Sequence, residues 1–534
     1  MTGTGTTGTQ TTDTGPATLT GLLTRLSALD VRLRADGDTL HYDAPRHALT
    51  DDLLDLIRRH KAELLRHLTT EPPGPQPESG GPATPGQRRM YEKATRHTHP
   101  AVYNVAHRID LTGRLDVPAL ERALNALLRR QPALRTRLRP SGGELVQQVM
   151  PLPPLRLDVR DLRGTAPHDP APVEQWLRKH AATPFDLSTA PLLRAALART
   201  GTESWTLVLV VHHIVIDGWG LGVLLSDLGA FYTAAERTPG PRPPTDAEAG
   251  LVPITTSYAD AARQMHRDLS GPRLERLRHY WRQALAGAPM VLDLPYDHPL
   301  PERPTGVGGR VDLRLDRALT DRLGALAATL GTTVFTVLLS AYGTLLCRLT
   351  GQREAVVGCN IAGRTRREFE PLVGLFAGNV ALRLGSVDTA DEGVPGAVRT
   401  AAGTFFAAAD HQEYPLGMVL ADRAGQDPPD ASPFPQALLV MESQGAPALD
   451  VPGLTARISD VSVEGAVGDL CLLLTPDAHG IDMTLLYAAE RFDPSTAERW
   501  AGAYETLLRE YAGHPMAKPR APHGGPPGGA PGTG

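Results

Sequence analysis

Fifteen residues, Trp205 to Trp219 (W-T-L-V-L-V-V-H-H-I-V-I-D-G-W), carry the chemistry most visible in this chain. His212 and His213 end an unbroken apolar run, and Asp217 and Gly218 follow. A run this rich in Val and Leu predicts a strand buried on both faces. Histidine exchanges a proton near neutrality, so a pair where the chain leaves a sheet suits proton handling. Strand alternation puts His213 on the side of Leu209 and Val211 and His212 on the other. The two rings therefore cannot address one substrate atom; one is expected to be catalytic and its neighbour structural. Asp217 can orient a ring, cap the following helix or bury itself against an arginine. That helix is predicted from Leu221, Leu224, Leu225, Leu228 and Tyr232.

The elements that must position these residues lie in a long chain. Its 534 residues predict two or three domains, and 41% hydrophobic with 21% charged residues fit a globular protein. A net charge of -5 supplies no basic excess for nucleic acid. Cys347, Cys359 and Cys471 are scattered without metal-ligand spacing, which predicts a reducing compartment and no metal. With no membrane-spanning stretch and no signal pattern, the expected location is cytoplasmic.

Composition divides the chain. Residues 1–16 are Thr/Gly-rich and read as disordered. Within 17–70, Leu19 to Leu29 give a helix, Val31 to Tyr42 a hairpin around Asp36-Gly37, and Thr50-Asp51-Asp52 caps a second helix through Leu68. So small a unit is expected to dimerise or lean on a partner. Residues 71–85 read as a hydrated linker. Alternating strands and helices then predict an α/β or α+β body in two lobes, 86–262 and 263–514, the latter including the inter-lobe connection; 515–534 read as a disordered tail.

A set of motifs along the body resembles the condensation domain of nonribosomal peptide synthetases, within the superfamily of chloramphenicol acetyltransferase. Thr84 to Met90 with Tyr103-Asn104-Val105 is similar to the first motif, and Arg129 to Thr136 to the second. Val211 to Gly220 is the third, H-H-x-x-x-D-G. Tyr258-Ala259-Asp260, Gly374 to Val380 and His411 to Leu416 resemble the fourth, fifth and sixth. Departures are Gly220 and Ala362, where relatives often carry serine, and Ala377-Gly378 in the fifth motif.

The resemblance implies two acetyltransferase-like lobes in a V-shaped pseudo-dimer, with the active site between them. Partner carrier proteins would deliver substrates on phosphopantetheine arms, with no cofactor bound by the chain itself. It implies His213 as the catalytic residue and Asp217 as a structural residue paired with Arg135. Its acyltransferase reaction would join a carrier-bound acyl or aminoacyl donor to an amine or hydroxyl acceptor, carrier-bound or free. His213 would act as base or by positioning; apart from the resemblance, its place at a helix start lets the Gly218 amide polarise the thioester carbonyl.

The N-terminal unit resembles the TubC-type docking domain, an αββα homodimer. This implies capture of the C-terminal tail of an upstream synthetase, with Arg32 and Arg34 facing an acidic partner. With no adenylation or carrier domain in the sequence, a stand-alone condensation enzyme of secondary metabolism is expected. A non-catalytic recruiting module and a free acyltransferase using a soluble thioester are the alternatives. Epimerisation is disfavoured by the Trp219 pattern and the lack of a carrier domain, and heterocyclisation by His213, where that class carries aspartate.

Overall fold

A computed structural model describes residues 31–36, 39–43, 50–69, 78–96, 99–164, 169–299, 301, 306–423, 435–442, 448–461 and 468–514, with Leu22 and Leu26. The expectations for residues 1–16 and 515–534, and for most of the first helix, lie outside the described residues. The chain divides into two compact units, residues 1–76 and 77–534.

In the first unit, Arg32–Asp36 and Thr39–Asp43 pair antiparallel, Arg32 opposite Asp43 and Arg34 opposite His41. The helix expected through Leu68 is two, Asp51–Arg59 and Lys61–Thr69, interrupted at His60. Thr50 occupies the N-cap without a side-chain capping bond; Asp51 and Asp52 instead place negative charge at the positive end of the helix dipole. Leu22, Leu26, Val31, Leu53, Ile57 and Leu64 form its core.

The larger unit is built on three sheets. In the five-stranded one, Ser204–His212 lies between Asn104–Gly113 and Leu193–Arg199, with Leu454–Asp460 and Asp158–Asp161 at the edges. Every residue from Thr206 to His212 is buried, because helices cover both faces. Val208 and Val210 pack with Trp176 and Leu177 of helix Ala171–Ala182. Leu207, Leu209 and Val211 join the core of helices Val117–Arg130 and Gly218–Arg237.

The six-stranded sheet runs Gly308–Asp316, Gly480–Ala488, Leu470–Asp477, Ala437–Met441, Glu354–Ile361, Gly378–Gly385. Helices Arg317–Thr329, Val334–Thr350, Gly393–Asp410 and Pro494–Gly513 contribute to one core with it. No single helix among the described residues is long and apolar enough to cross a membrane, and the three cysteines are free.

The structure corrects two boundaries. Ser79–Pro82, read as linker, is a strand on Glu144–Val149 in a three-stranded sheet completed by Thr136–Ser141, and Pro85 opens the helix Pro85–Arg96. Its composition suggests a hydrated spacer, but small residues suit a close edge pairing: a Cβ on Gly80 would lie 2.6 Å from the Gln147 carbonyl oxygen. The division at 262/263 also fails. Tyr258–Asp268 is one helix whose Tyr258 and Ala261 belong to the first core. From the second half, Phe369, Leu372, Val373 and Phe376 join that core. Leu454–Asp460 also returns to the first sheet, Asp460 opposite His107. Backbone pairing between distant segments leaves no compositional mark.

Candidate active site

The strand ends at His212, and His213–Val215 forms a single 3-10 turn that carries the chain out of the sheet. The two imidazoles consequently meet different surroundings. His212 is 2% exposed, and its Nδ1 accepts from the Ile214 amide at 3.1 Å. Phe185 presents an edge to its ring at 6.0 Å between centroids. Burial, reinforced by the charges of His213 and Arg194, holds the His212 pKa down at about 3, so this ring is neutral at physiological pH.

His213 is half-buried and lines a cavity of about 2390 Å³. Its Nδ1 lies 2.6 Å from the Ile216 carbonyl oxygen. A carbonyl can only accept, so Nδ1 carries the proton and neutral His213 keeps its lone pair on Nε2. The turn that removes His213 from the sheet thus also sets its tautomer.

Asp217 is the N-cap of helix Gly218–Arg237, with Oδ1 accepting from the Gly220 amide at 2.7 Å. Oδ2 accepts from the Phe376 and Ala377 amides, both at 2.9 Å, and from Arg364 at 2.8 Å. The side chains of Asp217 and Arg364 are 1% and 2% exposed. Arg364 also donates to the Leu372 carbonyl at 3.0 Å and lies over the Phe376 ring, 4.4 Å from its centroid.

The expected partner of Asp217 is Arg135, and the structure corrects this. Arg135 ends the turn Pro132–Arg135, where it donates to the Leu128 and Met150 carbonyls and to Glu78. Those acceptors satisfy its guanidinium locally. Arg364 comes from the segment Asn360-Ile361-Ala362-Gly363-Arg364, which also holds the departure at Ala362; an arginine just beyond a buried strand is the signal that points to it. Gly363 has φ +65°, and a Cβ there would fall 2.0 Å from the Phe376 carbonyl oxygen.

Other motif residues hold the same junction. Gln131 donates to Pro371 O at 3.0 Å and to Asp227 at 2.9 Å, and accepts from the Val373 amide at 2.9 Å. Gln87 donates to the Ile214 carbonyl at 3.3 Å, and Trp219 Nε1 to the Glu370 carbonyl at 3.0 Å. Buried Tyr258 donates to the Leu375 carbonyl at 2.7 Å, and burial pushes its phenol pKa up. The resemblance gave none of these four a role.

At Gly220 space is tight: a Cβ would approach Asp217 Oδ1 to 3.1 Å and Gly374 N to 3.5 Å. Gly218 lines the cavity and has open space where a Cβ would stand. Ala362 and Asn379 line the cavity from the six-stranded sheet's side. Arg32 and Arg34 lie in the first unit, on the strand described above.

Half-buried His213 on the cavity wall, anchored through Nδ1 beside a capped helix, is a site able to handle a proton on a bound molecule. The family model of the condensation domain matches residues 79–522, and the chain belongs to that family. A second model, the TubC N-terminal docking domain, matches residues 20–69.

Among curated relatives, Malpinin synthetase of Mortierella alpina is 32% identical over 80% of this chain, which spans 5% of that protein. Phosphinothricin tripeptide synthetase PhsC of Streptomyces viridochromogenes is 33% identical over 83% of this chain, which spans 41% of it. Among solved structures, the X-domain from teicoplanin biosynthesis superposes with a TM-score of 0.70 at 27% identity, covering 81% of this chain and 94% of that one. The first condensation domain of the calcium-dependent antibiotic synthetase gives 0.66 at 20% identity, covering 83% and 98%. The latter establishes a shared condensation-domain fold, with mixed α and β layers.

Proposed function

We propose that this chain catalyses condensation between a carrier-bound acyl or aminoacyl thioester and an amine or hydroxyl acceptor. The observation that carries this reading is His213, whose Nδ1–H is held by Ile216 while its ring lines the cavity. Nε2 accepts a proton from the acceptor as its nitrogen or oxygen bonds to the thioester carbonyl carbon. Collapse of the tetrahedral intermediate breaks the carbon–sulphur bond, and the proton leaves with the pantetheine sulphur. The Gly218 amide, at the positive end of its helix, faces the developing oxyanion. Asp217 and Arg364 hold the loop that carries His213 and touch no substrate.

The phosphopantetheine arm belongs to partner carrier proteins and enters as substrate. An upstream synthetase tail adds to the hairpin of the first unit, whose backbone offers a strand edge and whose Arg32 and Arg34 favour acidic residues. Three free thiols suit the reducing cytoplasm.

The test is product formation from a donor carrier loaded with a thioester and mixed with acceptor. His213→Ala cuts product formation by about 10²-fold or more with the fold intact; undiminished product sinks the reading. Removal of residues 1–70 weakens coupling to the upstream protein but not the chemistry at high carrier concentration. A second reading, a recruiting module, draws on the X-domain likeness, since a related structure is a complex of the X-domain and OxyB. Under that reading wild type and His213→Ala are equally inactive.

A further inference from the structure

The cavity is not lined by the histidine junction alone. One face of the six-stranded sheet also lines it, and strand alternation brings Arg310, Asp312 and Thr484 onto that face. Arg310 Nε donates to both Asp312 oxygens at 2.8 Å, and Thr484 donates to Asp312 at 2.7 Å. This trio is balanced in charge.

Opposite it, the five-stranded sheet contributes Asp460 from its edge strand and His107 from the next, cross-strand partners that line the same cavity. Glu442, just past the strand Ala437–Met441, lines it too. Arg310 also acts electrostatically on Asp460, so the unbalanced carboxylate is Glu442. Glu442 is exposed and has no hydrogen-bond or ion-pair partner for its carboxylate among the described residues; the surrounding protein and then Asp460 push its pKa up. His107 is 6% exposed, and its Nδ1 lies 2.9 Å from Asp460 Oδ1 but out of line for a well-formed hydrogen bond. Its Nε2 has no partner among the described residues. A shielded ring nitrogen without a partner on one wall and an unpaired carboxylate on the other mark a place that a ligand can complete.

We propose that His107, Glu442 and Asp460 form a specificity subsite of the cavity that binds a cationic group of the substrate, a protonated amine or a guanidinium. The proposal rests on the acyl-transfer reading of this cavity and names the substrate class it selects. The group sits between the Glu442 and Asp460 carboxylates, where charge-assisted hydrogen bonds fix it. Strand Asn104–Gly113 carries His107 three residues from Asn104, which pairs with His212, so the subsite stands roughly 10 Å along the strand from the histidine end.

Calorimetric titration of the full chain with cadaverine and with glutarate tests this. Cadaverine is expected to bind wild type and glutarate not, with Glu442→Gln weakening cadaverine about tenfold or more. Glu442→Lys is expected to reverse the preference. Equal binding of the two probes, or cadaverine binding unchanged by Glu442→Gln, overturns the proposal, as does absence of cadaverine binding. His213→Ala separates it from the catalytic reading, because that variant loses acyl transfer while still binding cadaverine.

Discussion

Asp217 and Arg364, 147 residues apart, meet at 2.8 Å with both side chains almost wholly shielded from solvent. One carboxylate thereby caps the helix behind the histidine loop and gathers the segment 364–377 against it. An ion pair so buried is not a large net source of stability. Its consequence is asymmetric: removing either partner strands the other's charge.

Arg364→Ala should therefore destabilise the protein by about 3–5 kcal/mol in urea unfolding. Arg135→Ala should cost only about 1 kcal/mol, since its acidic partner Glu78 is half exposed. Equal losses in the two variants would restore Arg135 as a partner of comparable weight.

His213→Ala should reduce acyl transfer by about 10²–10⁴-fold with an amine acceptor and more with a hydroxyl, which needs greater help losing its proton. Thermal unfolding should move little, because the half-buried ring gives up one hydrogen bond. A large fall in melting temperature would make its role structural.

His212 makes a prediction in pH. Its native pKa is depressed from 6.5 to about 3, so between these values the unfolded chain binds the proton that the native state refuses. The contribution is fully present above about 6.5 and is lost as pH falls toward about 3, with a slope near 1.4 kcal/mol per pH unit. Unfolding free energies measured at pH 7.5 and 5 should differ more in wild type than in His212→Asn, which keeps an acceptor for the Ile214 amide. Identical slopes would place the acid sensitivity elsewhere.

Gly374→Ala should be poorly tolerated, because a Cβ would stand 2.2 Å from the Tyr258 ring. Overpacking of this kind costs about 1–3 kcal/mol. The Tyr258→Leu background should recover part of the loss by vacating the ring's volume. No recovery in a double-mutant cycle would show that the two positions do not interact.

Much of the site is legible in the residues themselves. The buried strand, the paired histidines at its end and the capped helix follow from an apolar run, a period of two changing to one of 3.6, and an aspartate before Gly218; that His213 leaves the sheet in a 3-10 turn, rather than taking the strand's opposite face, does not. Each is a local relationship, written within fifteen residues. The single helix expected through Leu68 is where this legibility stops, because hydrophobic periodicity does not register a one-residue break such as that at His60.

The sequence alone determines the family, the paired histidines and the order of the motifs, because local periodicity and motif spacing survive in one dimension. Tertiary packing settles the rest: that Arg364 rather than Arg135 meets Asp217, that Ile216 takes the Nδ1 proton of His213, and that Leu454–Asp460 crosses to the first sheet. These choices depend on which acceptors lie within hydrogen-bonding reach once distant segments have packed. A guanidinium already satisfied by nearby carbonyls, as Arg135 is, has no reason to travel; Arg364 reaches its carboxylate because a strand and a positive-φ glycine deliver it there.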